Sequence, residues 1–229
     1  AAEAIRLFEA AGREDAAGLA RIMRAQVAAR AGDLEAARAD AEAALAALVH
    51  AHDAVRALAY GVRGMVASRR GDVEGAFAAY ARAAELADAA GELSMVARFH
   101  QNVAGLHADR GATDLAAEMF ERAYAAAARV GDVHLLALGR VNLGMLELKR
   151  RRPQVADALL VEGLAWAESV GYSYAISVAR VGLARAAMAL EDAPLARART
   201  QRALADPVAA EQWPDRLEEI AAWAESRLE

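Results

Sequence analysis

Cysteine is absent from the 229 residues. Disulfides, thiolate metal sites and thiol nucleophiles are therefore excluded together, which fits a reducing compartment and points to the cytoplasm. Aromatic residues make up only 5% of a chain that is 57% hydrophobic, so large rings cannot supply most of the core. Proline occurs four times, and long stretches run with nothing to interrupt a helix. No stretch reaches the roughly 20 uninterrupted apolar residues of a spanning helix, because Arg, Asp or Glu recurs every few positions; no membrane partner is expected. The formal charge of -5 is spread with both signs interspersed. No broad basic surface faces a phosphate backbone, and direct nucleic-acid binding is not expected. The first residues lack an initiating Met and the layout of a cleavable signal, and they read as helix.

What is abundant is alanine, at 66 positions, the strongest helix former. Small side chains bury little area each, so such a chain must bring helix axes close and rely on many modest contacts. The punctuation repeats. Gly91, Gly131 and Gly171 stand 40 residues apart, and Gly32, Gly71 and Gly111 fall between them at spacings of 39 and 40. Glycine just past a helix end supplies a left-handed cap, and the Asp or Glu that often follows caps or charges the next helix start. Between these turns, segments of about 17 to 19 residues without internal proline carry apolar residues three and four apart. Val133 to Arg150 is the clearest, with Leu135, Leu138, Val141, Met145 and Leu148 on one stripe. Paired antiparallel helices, each roughly 27 Å long, follow.

Small residues recur in register with the turns. The first helix of each pair offers Ala25, Gly64, Ala104, Gly144 and Ala184; the second offers Ala37, Ala76, Ala116, Ala156 and Ala196, and seven residues later Ala44, Ala83, Ala123, Gly163 and Ala203. Tyr80, Phe120 and Leu160 stand four residues after the first of these second-helix rows as larger plugs, with Ala41 and Thr200 in their place in the first and fifth pairs. Packing in those two pairs is expected to be looser. In these rows the chain resembles the tetratricopeptide repeat (TPR) family in its longer, roughly 40-residue form, from about Glu14 to Asp206. The resemblance implies an all-α, right-handed superhelical solenoid of antiparallel helix hairpins. Departures from the turn pattern lie at His50 to Asp53, Arg151-Arg152-Pro153 and Glu191-Asp192. None breaks the period, and proline suits the first turn of a helix.

Three segments follow: 1–12 as the second half of a truncated repeat, 13–206 as five hairpins, and 207–229 as a C-terminal cap, with a final helix from Pro214 to Leu228. The start inside a repeat suggests a piece of a longer polypeptide.

In the resembled family the first helices line a concave groove that holds peptides. By that resemblance the groove row runs through Met23 and Gln26, Val62, Met65 and Arg69, Gln101, Asn102 and Gly105, Asn142, Met145 and Lys149, then Arg185. Asn102 and Asn142 offer amides one repeat apart that can pair with a peptide backbone; the alternative is that each bonds a neighbouring helix or water. Tyr60, His100, Arg140 and Arg180 form another row, rotated about 200° from the asparagines and expected to pack between hairpins with the charges paired. The run Lys149 to Arg152 closes a helix, where cations meet the negative end of the dipole; docking of an acidic partner is the other reading. Arg197, Arg199 and Arg202 are expected on a solvated face.

No catalytic constellation emerges. His100 and His107 share a helix face without an acidic residue at ligand spacing, and no metal or cofactor is implied. No acid and base pair stands out. The resemblance extends to the sensor or partner-docking parts of bacterial multidomain regulators, including transcriptional ones. The expectation is thus a regulatory domain binding a peptide or protein segment and not an enzyme, with self-association or a small-molecule inducer as alternatives.

Overall fold

The computed structural model describes residues 2–228, which form thirteen helices and no strand. In chain order these are α1 (Ala2–Ala10), α2 (Glu14–Arg30), α3 (Leu34–Ala47), α4 (Asp53–Arg69), α5 (Val73–Ala89), α6 (Leu93–Asp109), α7 (Thr113–Val130), α8 (Val133–Lys149), α9 (Pro153–Ser169), α10 (Ser173–Ala189), α11 (Ala193–Leu204), α12 (Pro207–Gln212) and α13 (Pro214–Glu225). The chain divides into two compact units, one ending at Arg110 and the other beginning at Gly111. In the first, α1 lies on the pair α2/α3, the pair α4/α5 stacks next, and α6 packs on α5. In the second, α7 lies on α8 of the pair α8/α9, the pair α10/α11 follows, and α12 and α13 close against α10 and α11.

The turn chemistry explains the element boundaries. Gly32, Gly71, Gly91, Gly111, Gly131 and Gly171 all adopt positive φ just past a helix, a conformation that costs glycine nothing. Arg151 and Glu191 take the same left-handed conformation at φ 57 and 59, so the turn is kept where its glycine is missing. Asp33, Asp72, Asp132 and Asp192 each accept a hydrogen bond from a backbone N–H of the following helix. Glu92 sits at the same position without such a bond; its longer side chain does not reproduce the short aspartate cap. His52 replaces the turn after the first pair and accepts from the Ala54 N–H through Nδ1 at 3.3 Å.

The small-residue rows are contact points. Ala25, Ala37, Ala44, Ala76, Ala83, Ala156, Ala184, Ala196 and Ala203 are fully buried. A Cβ on Gly64 would come within 2.7 Å of the Tyr80 ring, and one on Gly144 within 2.7 Å of Leu160 Cγ, so each plug rests on the glycine of its own hairpin. Burial pushes the Tyr80 hydroxyl up to about 12, with nearby Arg69 opposing the shift. A Cβ on Gly163 would stand 2.9 Å from the Val141 backbone nitrogen. In the first and fifth hairpins Ala41 and Thr200 stand at the plug position, with Ala25 and Ala184 at the place of the glycine, and both plugs are buried. Their second helices are shorter, at 14 and 12 residues.

The helix α8 is not apolar on one stripe alone. It also buries Leu136, Leu143 and Leu146, because α7, α9 and α10 surround it. The end of the chain differs from the single helix read from Pro214: Asp206 caps α12 by accepting from the Val208 and Ala209 N–H groups, and Trp213 separates it from α13. Among the described residues no helix is long and apolar enough to cross a membrane.

Candidate functional site

The residues of the first-helix row fall in both units and have different surroundings. In the first unit Met65 packs at the edge of the core containing Ile22, Ala25 and Val62. Arg69 is occupied: its guanidinium donates to the Ala29 carbonyl at 2.6 Å, satisfying the C-terminal end of α2. This bond uses one of its five N–H donors, and the side chain is otherwise exposed. Gln101 is buried, so it is not an open groove contact, while Gln26 and Asn102 are half-buried. A Cβ on Gly105 would meet no heavy atom within 4 Å, and the row is open there.

In the second unit Asn142, Met145 and Lys149 follow one another along α8, and Gly182, Arg185 and Ala189 hold the same places on α10 one repeat later. Met145 joins the two rows: its sulfur would lie 2.8 Å from a Cβ on Gly182. Asn142 is half-buried and Lys149, the one lysine of the sequence, is exposed. Arg185 is half-buried, and desolvation followed by the repulsion of Arg216 holds its guanidinium below the usual range, with Glu219 opposing. Arg216 already pairs with Glu219 at 2.7 Å. Every other half-buried arginine of the described residues has a carboxylate within ion-pair distance, namely Arg21, Arg24, Arg56, Arg140, Arg150, Arg180 and Arg199. Among the described residues Arg185 has none, since Glu219 acts on it only from beyond ion-pair distance, and a desolvated cation with no paired carboxylate attracts an anion.

The opposite row behaves as a packing layer. Arg140 lies 3.6 Å above the Tyr124 ring and within 3.0 Å of Glu162. Burial disfavours its charge, but the bond to Glu162 and the neighbouring Tyr124 and Glu121 outweigh that and raise its pKa. Arg180 pairs with Glu168 and with the buried Asp206, both at 3.1 Å, and Asp206 also lies within 2.9 Å of the Ser177 hydroxyl. The run Lys149 to Arg152 is partly neutralised inside the protein: Arg150 pairs with Glu147 at 2.7 Å and with Asp114 at 2.5 Å. Arg199 was expected in solvent and is instead half-buried, bound to Asp157 and to the Leu183 carbonyl at 3.1 Å. His107 is packed against Phe77, with ring centroids 4.6 Å apart.

A further ion pair recurs from repeat to repeat. Arg70, Arg110 and Arg150, each at the end of a first helix, pair with Glu35, Glu74 and Asp114 at the start of the preceding second helix. The signal was present as two further series with spacings of 39 or 40.

No family model and no curated protein matches this sequence. Solved structures do. BtubC (BKLC) from P. vanneervenii superposes with a TM-score of 0.78 at 19% identity, over 92% of this chain and 88% of that one. The apo form of RapI gives 0.74 at 16% identity, over 86% and 72%. A chain of nearly identical TPR-like repeats from Podosopora anserina gives 0.66 at 15% identity, over 84% and 95%. At these identities the likeness concerns the fold, which is that of the TPR-like helical solenoids.

Proposed function

We propose that this chain is a binding module, not an enzyme, and that the first-helix face of its second unit captures an acidic peptide or protein segment. The single observation that carries the reading is Arg185, the one half-buried arginine among the described residues with no carboxylate within ion-pair distance, its neighbour Glu219 being engaged by Arg216. Asn142 supplies an amide donor and acceptor on the adjacent helix, and Lys149 a second cation, so a carboxylate and a peptide backbone both find partners. The TPR-like fold supports the same reading by analogy, and on that analogy we place the chain in a larger bacterial signalling or transcriptional regulator in the cytoplasm. A small-molecule inducer carrying an acid group is the variant of this reading that uses the same residues.

The test begins with peptides selected on the intact protein from a displayed random library and titrated calorimetrically. Acidic sequences are expected, and Arg185→Gln should weaken the best of them about tenfold to a hundredfold, the loss of a charged hydrogen-bond partner. Lys149→Ala and Asn142→Ala should weaken it less, with helicity unchanged in all three. Selected peptides with no acidic bias, or affinities indifferent to Arg185→Gln, would contradict the assignment.

Self-association is the second reading, favoured by one observation in the first unit. Leu19, Met23 and Val27 form a stripe on α2, and Met23 and Val27 are 68% and 66% exposed. Val66, which holds the place of Val27 on α4, is buried against Ala25 and Ala29 of α2. The bare stripe is therefore the kind of surface that the next helix of the stack covers.

A further inference from the structure

The second unit also carries a cleft on its other side, between the second helices α9 and α11 with α10 as its floor, of about 620 Å³. That volume is in the range of small-ligand sites. Its origin is visible by comparing positions one repeat apart. Between α7 and α9 the Tyr124 ring centroid lies 3.6 Å from the Arg140 guanidinium carbon and its hydroxyl donates to Glu162 at 3.2 Å, so a ring occupies that place. Forty residues on, Leu164 stands in the place of Tyr124, Arg180 in that of Arg140, and Arg202 in that of Glu162. All three line the cleft, together with Val161 and Leu183. The ring is gone, the guanidinium it covered is still there, and the group at the polar end has changed from a hydrogen-bond acceptor to a cation.

We propose that this cleft binds a small aromatic carboxylate, its ring occupying against Arg180 the place Tyr124 fills against Arg140, and its carboxylate meeting Arg202. The apolar sides come from Val161, which is 49% exposed, and from Leu164 and Leu183. Arg180 and Arg199 are held in place by Asp206, Glu168 and Asp157, which fixes the floor without using the outer cation. Arg202 is exposed and has no carboxylate within ion-pair distance among the described residues. A flat ring on a guanidinium gains cation–π attraction, and a carboxylate on a free guanidinium gains a charge-assisted pair. An aliphatic acid would obtain only the second of these, and a neutral aromatic only the first.

The probe is 2-naphthoate, titrated calorimetrically into the intact protein, with 2-naphthamide and cyclohexanecarboxylate as controls. Saturable one-site binding of 2-naphthoate is expected, with each control at least tenfold weaker. Arg202→Gln should weaken 2-naphthoate at least tenfold. The double substitution Leu164→Tyr with Arg202→Glu restores the filled arrangement of the preceding repeat and should abolish binding, with helicity by circular dichroism unchanged. No saturable binding at millimolar probe overturns the proposal, as does equal binding of the amide. So does binding that survives both Arg202→Gln and the double substitution. Loss of binding in Arg185→Gln alone would place the anion on the first-helix face and overturn it as well, whereas failure of peptide selection on that face leaves the cleft assignment standing.

Discussion

Arg151 and Glu191 show how much a single residue is made to yield to the repeat. Both occupy the left-handed region at the end of a first helix, where Gly32, Gly71 and Gly111 sit in the other hairpins. A side chain there crowds the backbone, at a cost of about 1 to 2 kcal/mol for a non-glycine residue. Replacing either by glycine removes that crowding, although glycine gives back part of the gain through the freedom of the unfolded chain. Arg151→Gly and Glu191→Gly should therefore each stabilise the protein by about 1 kcal/mol, read as a higher urea midpoint at unchanged slope. A lower midpoint in both would mean that the two side chains make contacts worth more than the strain. The positions of these turns could be read from the sequence because neighbouring turns are glycine at the same spacing. The uses of individual side chains could not. That Arg69 closes the end of α2 and that Arg199 reaches Asp157 depend on which helix end lies beside each of them, and spacing along one helix does not contain that.

At the scale of elements, the boundaries followed from turn chemistry and the apolar periods, and most helices came out at 17 residues with the caps at the expected aspartates. The surroundings of a helix were less legible. α8 is apolar around more of its surface than one stripe because three helices cover it, and α12 was missed because six residues are too few to show a period. The helix α2 presents the reverse case, with a stripe of apolar residues left exposed among the described residues. If Leu19, Met23 and Val27 mediate self-association, the mass measured by sedimentation velocity should rise with concentration for the natural sequence. It should stay at that of one chain for Met23→Glu with Val27→Glu, since burying two carboxylates in an apolar contact is prohibitive. A natural sequence that remains a single chain at every concentration removes this second reading.

At the scale of the whole molecule, one arrangement is repeated within each unit: a small residue on the first helix, a plug or a second small residue on its partner, and a turn that returns the chain to the same register. The fold was legible because this arrangement is written in small residues, whose spacing survives in the sequence with no need of large conserved-looking motifs. The candidate sites were legible only in part, because they arise where one repeat departs from the next. Arg185 becomes notable only once α13 is seen to bring Arg216 and Glu219 beside it, and the cleft only when Leu164 and Arg202 are set against Tyr124 and Glu162. The central claim is that the recurring small residues are required for contact, and are not merely helix formers. The most direct measurement is urea unfolding of two variants bearing the same change, Gly105→Ala and Gly163→Ala. Both replace a helical glycine. Nothing lies within 4 Å of a Cβ at Gly105, whereas one at Gly163 meets the Val141 backbone. Gly105→Ala should stabilise the protein by about 1 kcal/mol and Gly163→Ala should destabilise it by roughly 1 to 3 kcal/mol. Equal stabilisation by both would contradict the account.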